Sequence, residues 1–117
     1  MGLQIHIEGR VLIVSLAGEL DHHQVERLRP QIDAAYEKST CKHLVLDMGG
    51  VSFMDSSGIG MIIGRYKNTE KRNGQLVLTN MNEAIARLFD VSGLAKIVAR
   101  TTTVKDALDM LGGGFNE

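Results

Sequence analysis

Two adjacent serines follow a carboxylate in the string Phe53-Met54-Asp55-Ser56-Ser57-Gly58-Ile59-Gly60, where an apolar segment gives way to a predicted helix. The first turn of a helix carries unpaired N–H groups and a partial positive charge, which favour Ser, Asp and anions there. A serine hydroxyl at this place is easy to present to an enzyme, and a phosphate on it is electrostatically tolerable. Taken alone, however, the string is better explained by Asp55 or Ser56 as an ordinary helix N-cap.

The glycines around these serines do not form the patterns that two classes of enzyme require. A hydrolase nucleophile elbow reads Gly-x-Ser-x-Gly, but Met54 stands where the first glycine belongs. A phosphate-binding loop places its glycines before a helix, whereas Gly58, Gly60 and Gly64 fall inside the predicted helix and no Gly-Lys-Ser/Thr follows. We therefore expect these glycines to permit the close approach of a partner or of a packed neighbour.

Asp21, His22 and His23 are adjacent and raise the question of a metal site. Neighbouring residues on a helix point about 100° apart, so two adjacent histidines rarely bind one ion together. We predict no metal site and no cofactor. Asp21 then caps a helix, and the two histidines lie on its surface.

A receiver domain that is phosphorylated on aspartate is the alternative for a chain of this length. Asp47 or Asp55 could be the phosphorylated residue at a strand end. Receivers also need an acidic pair after the first strand to hold a metal ion, and residues 3–11 contain only Glu8. The receiver interpretation therefore remains an alternative, although the chain offers too few acidic ligands for the metal ion that a receiver needs.

Length, composition and charge set the class of protein. The 117 residues are 44% apolar, which predicts one domain, 1–117, with a core of its own. A lone cysteine, Cys41, and a start without a basic or apolar leader lead us to expect a cytoplasmic protein. The formal charge of −1 and the short apolar runs argue against nucleic-acid binding and against a membrane span.

The first part of the chain predicts a hairpin and then a helix. Alternating apolar residues before Gly9-Arg10 and β-branched residues over 11–17 indicate two antiparallel strands, and Gly18 ends the second. Asp21 then caps a helix that runs to about Lys38. Pro30 is an obstacle inside this helix, so we expect a kink or a late helix start.

The remaining segments alternate strand and helix in the same way. A strand over 43–48 and a short connection over 51–54 lead to a helix from Ser57 to Asn73-Gly74. A strand over 75–79 is followed by a helix that is capped by Asn82 and reaches Phe89, and then by an edge strand at Ile97-Val98. A last helix follows a capping box at Thr103-Val104-Lys105-Asp106 and ends at Leu111, before a flexible tail over 112–117. This order predicts an α/β fold in which a small mixed β-sheet is flanked by helices and opens with a β-hairpin.

Four strings, in order, resemble the STAS family of anti-sigma factor antagonists. They are Leu16-Ala17-Gly18-Glu19-Leu20-Asp21, Leu44-Val45-Leu46-Asp47, the serine string itself, and the run from Ala86 to Leu94. Gly-Glu-Leu-Asp-His-His together with Phe-Met-Asp-Ser-Ser-Gly-Ile-Gly resembles most closely the sporulation branch, which controls the prespore sigma factor. STAS domains have the small mixed sheet predicted above.

The resemblance implies a phosphorylation-switched binding protein without catalytic activity. Its partners would be an anti-sigma factor that is also an ATP-dependent serine kinase, and a PP2C-type phosphatase that reverses the modification. Unphosphorylated, the protein would bind the anti-sigma factor and release the sigma factor. Ser56 aligns with the phosphoacceptor of the family, and the loop of Asp21 lies beside that serine in the family.

A docking surface is expected around the start of the second helix. Glycines that let a backbone come close, apolar residues and an acidic edge converge there. Its predicted members besides Ser56 are Asp21, Asp55, Ser57, Gly58, Ile59, Gly60 and Met61. Ile62 is as well explained by a place in the core.

Overall fold

The structure is a computed structural model, and it describes residues 2–112. Met1 and residues 113–117 lie outside this range. The predicted flexible tail over 112–117 therefore falls almost entirely on residues that are not described.

Within residues 2–112 there are five strands and four helices, which alternate after the first two strands, and a short 3₁₀ turn at Leu94–Lys96 precedes the last strand. They are β1 (Gly2–Glu8), β2 (Val11–Leu20), α1 (His22–Lys38), β3 (His43–Met54), α2 (Ser56–Lys71), β4 (Leu76–Thr79), α3 (Glu83–Val91), β5 (Ala99–Thr101) and α4 (Val104–Met110).

The strands form one mixed sheet in the order β1-β2-β3-β4-β5. β1 pairs antiparallel with β2, and every later pair is parallel, so the carboxyl ends of β2, β3, β4 and β5 share one edge. The helices that follow β2, β3 and β4 start at that edge. The predicted α/β fold with an opening hairpin is confirmed.

Both faces of the sheet are buried, which explains the near-continuous apolar runs of the central strands. Leu12, Val14 and Leu16 of β2 belong to the larger core cluster, to which α1, α2 and α3 contribute. The intervening Val11 and Ile13 pack with Ala107 of α4 on the other face.

Both central strands are longer than the sequence suggested. β2 does not end at Gly18 but continues to Leu20, and β3 runs through Gly49 and Gly50 to Met54 without the predicted connection. Register shifts near Gly18, whose φ is +98°, keep the strands paired beyond the irregularity. Gly50 is required because a Cβ there would lie 2.9 Å from the Cβ of Ala17.

Two further element predictions need correction. α1 is continuous across Pro30, so the late start is wrong. Pro30 is exposed, and the carbonyl that it leaves without an intrahelical donor can bond water instead. The last strand lies at Ala99–Thr101 and not at Ile97-Val98, although it is an edge strand as predicted.

The predicted helix N-caps are confirmed. Asp21 accepts a hydrogen bond from the Gln24 N–H, Asn82 from the Ile85 N–H, and Thr103 from the Asp106 N–H. The predicted stop of the second helix is also correct, because Asn73 adopts the left-handed conformation (φ 59°) directly after it.

Candidate functional site

Two helix starts lie side by side at the carboxyl edge of the sheet. Leu20 and Met54 are register partners at the ends of β2 and β3, and the Asp55 N–H donates to the Leu20 carbonyl at 3.4 Å. The next residues, Asp21 and Asp55, are the N-caps of α1 and α2. The sheet register therefore brings together the two carboxylates that the sequence placed 34 positions apart.

Asp55, and not Ser56, caps α2. The Asp55 Oδ1 accepts from the Ser57 N–H at 2.8 Å, which satisfies one of the free donors of the first turn. Ser56 is then the first residue of the helix, and its side chain is exposed. Among the described residues, its hydroxyl has no hydrogen-bond partner. The hydroxyl is thus presented to solvent and is not needed for the cap.

Two of the predicted surface residues lie beneath the surface. Gly58 and Met61 are buried, so neither offers contact area to a partner at the helix start. Gly58 is a glycine for a packing reason, because a Cβ there would come within 2.4 Å of the Met54 Cγ. Ile62 is 0% exposed and belongs wholly to the core, so its alternative place in the docking surface is wrong.

Two other glycines of α2 open its outer face. Gly60 and Gly64 stand one helical turn apart, and a Cβ on either would meet no atom within 4 Å. Gly60 is exposed, while Ile59 beside it is half-buried and packs against the core. Of the predicted docking surface, Ser56 and Gly60 are exposed, and Asp21, Asp55, Ser57 and Ile59 are half-buried.

A groove of about 360 Å³ runs between the first halves of α1 and α2. Its lining consists of His22, Val25, Glu26, Arg29, Ser57, Gly60, Met61, Gly64 and Arg65. Arg65 is buried, with its Nε 2.9 Å from the Asp33 Oδ1. Burial lowers the pKa of Arg65, and Asp33 offsets only part of this effect. The groove thus continues the serine surface along the helix pair.

Phe53 is an exposed aromatic residue that the sequence analysis did not place at the site. Its side chain is 48% exposed, and it precedes Asp55 by two positions at the end of β3. An apolar residue in a strand is usually buried, so the sequence carried no direct signal for its exposure. Its place as the first residue of the serine string was the available hint.

The other chemical candidates have structural roles or lie on the surface. His22 and His23 are exposed, with their ring centroids 6.0 Å apart. The Asp47 carboxylate accepts from the Asn80 side chain at 2.9 Å and from the Gly49 N–H at 3.0 Å, which ties the residue after β4 to β3. Within residues 2–112, no three His, Cys, Asp or Glu side chains are grouped as metal ligands, and no helix is long and apolar enough to cross a membrane.

Comparison with known proteins identifies the family. The STAS domain family matches residues 3–107. A relative from Paenibacillus polymyxa named an anti-sigma F factor antagonist is 46% identical over 100 residues, which is 84% of this chain and 86% of that protein. The chain belongs to the STAS domain family.

Two solved structures agree with this fold. The anti-sigma factor antagonist SpoIIAA in its unphosphorylated form matches with a TM-score of 0.81 and 31% identity, covering 96% of this chain and 97% of that one. The Bacillus cell fate determinant SpoIIAA in the phosphorylated form matches with a TM-score of 0.71 and 31% identity, covering 93% and 98%. Together with the name of the Paenibacillus relative, they support the role of an anti-sigma factor antagonist, a regulatory class of protein.

The fold also distinguishes this chain from the receiver alternative. Receiver-type doubly wound sheets have the strand order 2-1-3-4-5, with the first strand inside the sheet. Here the first strand is an antiparallel edge strand, and the order is sequential. The STAS assignment therefore replaces the phosphoaspartate interpretation.

Proposed function

We propose that this protein is an anti-sigma factor antagonist of the sporulation type, switched by phosphorylation of Ser56. The unphosphorylated form binds an anti-sigma factor that is also an ATP-dependent serine kinase, and the bound sigma factor is released. Phosphorylated, the antagonist lets the anti-sigma factor go, and a PP2C-type phosphatase restores it. The protein itself performs no catalysis, and these partners place it in the cytoplasm.

One observation carries this proposal: Ser56 is exposed at the first position of α2, directly after the Asp55 cap, and its hydroxyl has no hydrogen-bond partner within residues 2–112. A kinase can reach such a hydroxyl without unfolding the helix. The helix start also has the partial positive charge that accommodates a phosphate. The phosphorylated form of a structural relative, SpoIIAA, supports this part of the proposal.

The switch follows from local electrostatics. A phosphate on Ser56 adds about 1.5 to 2 negative charges at pH 7 beside the carboxylate of Asp55 and close to the α1 cap, Asp21. The dipole of α2 offsets only about 1 kcal/mol of this electrostatic repulsion. The antagonist therefore keeps its fold, while an interface formed over this surface acquires an anion that it was not built to pair, at a cost of several kcal/mol. Repulsion at the contact is sufficient for release.

The docking surface that we propose is centred on Ser56 and includes Asp21, Asp55, Ser57, Ile59 and Gly60, with Gly58 and Met61 supporting it from below. The two carboxylates form an acidic edge suited to basic residues of a kinase. Gly60 leaves room for the partner backbone. Phe53 adds an exposed aromatic residue of the kind that is enriched in interfaces.

Phosphate transfer tests the proposal. The protein is incubated with ATP and the anti-sigma F factor of Paenibacillus polymyxa, and the modified residue is mapped by mass spectrometry. We expect stoichiometric phosphate on Ser56 and none on Ser56→Ala, which remains folded and still binds. Stoichiometric labelling of Ser56→Ala at Ser57 would contradict the assignment.

Charge substitution tests the switch. Ser56→Asp places a single carboxylate at the helix start, where it is locally favourable, so its melting temperature should stay within a few degrees of the parent. Its affinity for the same anti-sigma factor should fall strongly because the charge lies in the docking surface. Equal affinities of Ser56→Asp and the parent would refute the repulsion mechanism.

A further inference from the structure

The groove between α1 and α2 contains two arginines close together. Arg29 stands on its rim in α1, and Arg65 lies below it in α2, 6% exposed. Burial is the largest cause that lowers the pKa of Arg65, and the positive charge of Arg29 acts in the same direction. Two like charges are thus held together at a site that is open to a ligand.

Neither of these arginines is fully paired with an acidic side chain of the protein itself. The Asp33 Oδ1 lies 2.9 Å from the Arg65 Nε as an ion pair, but Nε and Nη1 of this guanidinium are both buried without a hydrogen-bond partner among the described residues. Glu26 lies 3.9 Å from Arg29 in a pair that is about half exposed on both sides and therefore contributes little. A guanidinium has five N–H donors in a planar fork that matches a carboxylate.

We propose that this groove is a binding site for an acidic side chain of the anti-sigma factor. Resting on the proposed function, this inference identifies a second anchor point of the same docking surface, about one to two and a half helical turns along α2 from Ser56. The partner carboxylate enters beside Gly60 and Gly64, where no side chain stands in its way, and meets Arg29 at the rim and Arg65 at the floor. It supplies the acceptor that the buried guanidinium lacks.

This arrangement gives the docking surface two poles of opposite charge. Asp21 and Asp55 present carboxylates at the helix starts, and the groove presents guanidinium groups farther along. A partner must then carry a basic group and an acidic group at matching positions, which fixes the orientation in which it docks. Phosphorylation of Ser56 disturbs only the first pole.

Three variants test the inference through the dissociation constant for the Paenibacillus polymyxa anti-sigma F factor, measured by calorimetry. Arg29→Glu reverses the charge at the groove rim. Arg27→Glu is the matched control, since Arg27 is exposed on the same helix but does not line the groove. Asp33→Asn keeps an oxygen acceptor near Arg65 but removes the carboxylate that competes with the partner.

We expect Arg29→Glu to weaken binding about tenfold or more and Arg27→Glu to change it less than about threefold. Asp33→Asn should tighten binding several-fold, whereas a purely structural Asp33–Arg65 pair would leave binding unchanged or weaken it. The inference is overturned if Arg29→Glu weakens binding no more than Arg27→Glu, or if Asp33→Asn does not tighten it.

The unvaried protein and Ser56→Asp separate this inference from the proposed function. If the unvaried protein binds and Ser56→Asp does not, the function stands, and the three groove variants decide the inference alone. If the unvaried protein does not bind this anti-sigma factor, the proposed function and the inference are both wrong.

Discussion

Gly60→Arg should make the protein more stable while abolishing its binding to the anti-sigma factor. A Cβ at Gly60 meets no atom within 4 Å, so the arginine side chain extends into open space in the free protein. Glycine costs about 0.8 to 1 kcal/mol in a helix interior relative to alanine, and arginine is close to alanine. The free energy of unfolding should therefore rise by about 0.5 to 1 kcal/mol, which raises the melting temperature by a few degrees.

In the complex the same side chain would stand between α2 and its partner. A bulky side chain for which an interface has no room costs several kcal/mol, equivalent to a loss of about two decades in affinity. Thermal unfolding followed by circular dichroism and calorimetric titration with the Paenibacillus polymyxa anti-sigma F factor measure the two effects separately. Opposite changes in stability and affinity distinguish a blocked interface from a damaged fold.

Two control variants accompany Gly60→Arg. Gly60→Ala gains most of the helix propensity with only a methyl group, so it should bind better than Gly60→Arg. Ala34→Arg adds the same charge on an exposed position of α1 away from the strand ends, and its affinity should equal that of the parent. If folded Gly60→Arg binds with parental affinity and is phosphorylated at the parental rate, the interface lies elsewhere.

Substitutions at three further positions examine the support of the site. Gly58→Ala should lower stability by about 1 to 3 kcal/mol in thermal unfolding because its Cβ would overlap Met54; an unchanged melting temperature would contradict this packing. Asp55→Ala should lose about 1 kcal/mol with its cap to Ser57, whereas Asp55→Asn keeps an acceptor and should lose less; equal losses would contradict the capping role. Phe53→Ala should leave stability within about 0.5 kcal/mol, since the ring is half exposed, but weaken binding at least fivefold in calorimetry; unchanged binding would remove Phe53 from the docking surface.

The sequence predicted the elements well where local signals were strong. Asp21, Asn82 and Thr103 cap helices as expected because the N-cap signal depends only on a side chain and the next few residues. The strand ends were predicted too short, since Gly18 and the Gly49-Gly50 pair read locally as breaks. In the sheet, pairing between β2 and β3 continues past these glycines, a long-range effect that no local window contains.

Within the site, the sequence located the residues but did not distinguish those that lie on the surface from those that are buried beneath it. Glycine at 58 and glycine at 60 look alike in the string, yet one is buried against Met54 and the other faces open space. The two orientations differ because successive helix positions turn by about 100°, and only the packing of α2 on the sheet decides which side faces inward. The groove with Arg29 and Arg65 was invisible for a related reason, as it depends on how two helices lie together.

The affinity of the protein before and after stoichiometric phosphorylation on Ser56 tests the central claim most directly. Both forms are titrated against the same anti-sigma factor in one buffer, and circular dichroism verifies that both are folded. We predict that the phosphorylated form binds at least about a hundredfold more weakly, as several kcal/mol of repulsion requires. Dissociation constants that agree within a factor of two would contradict the phosphorylation switch.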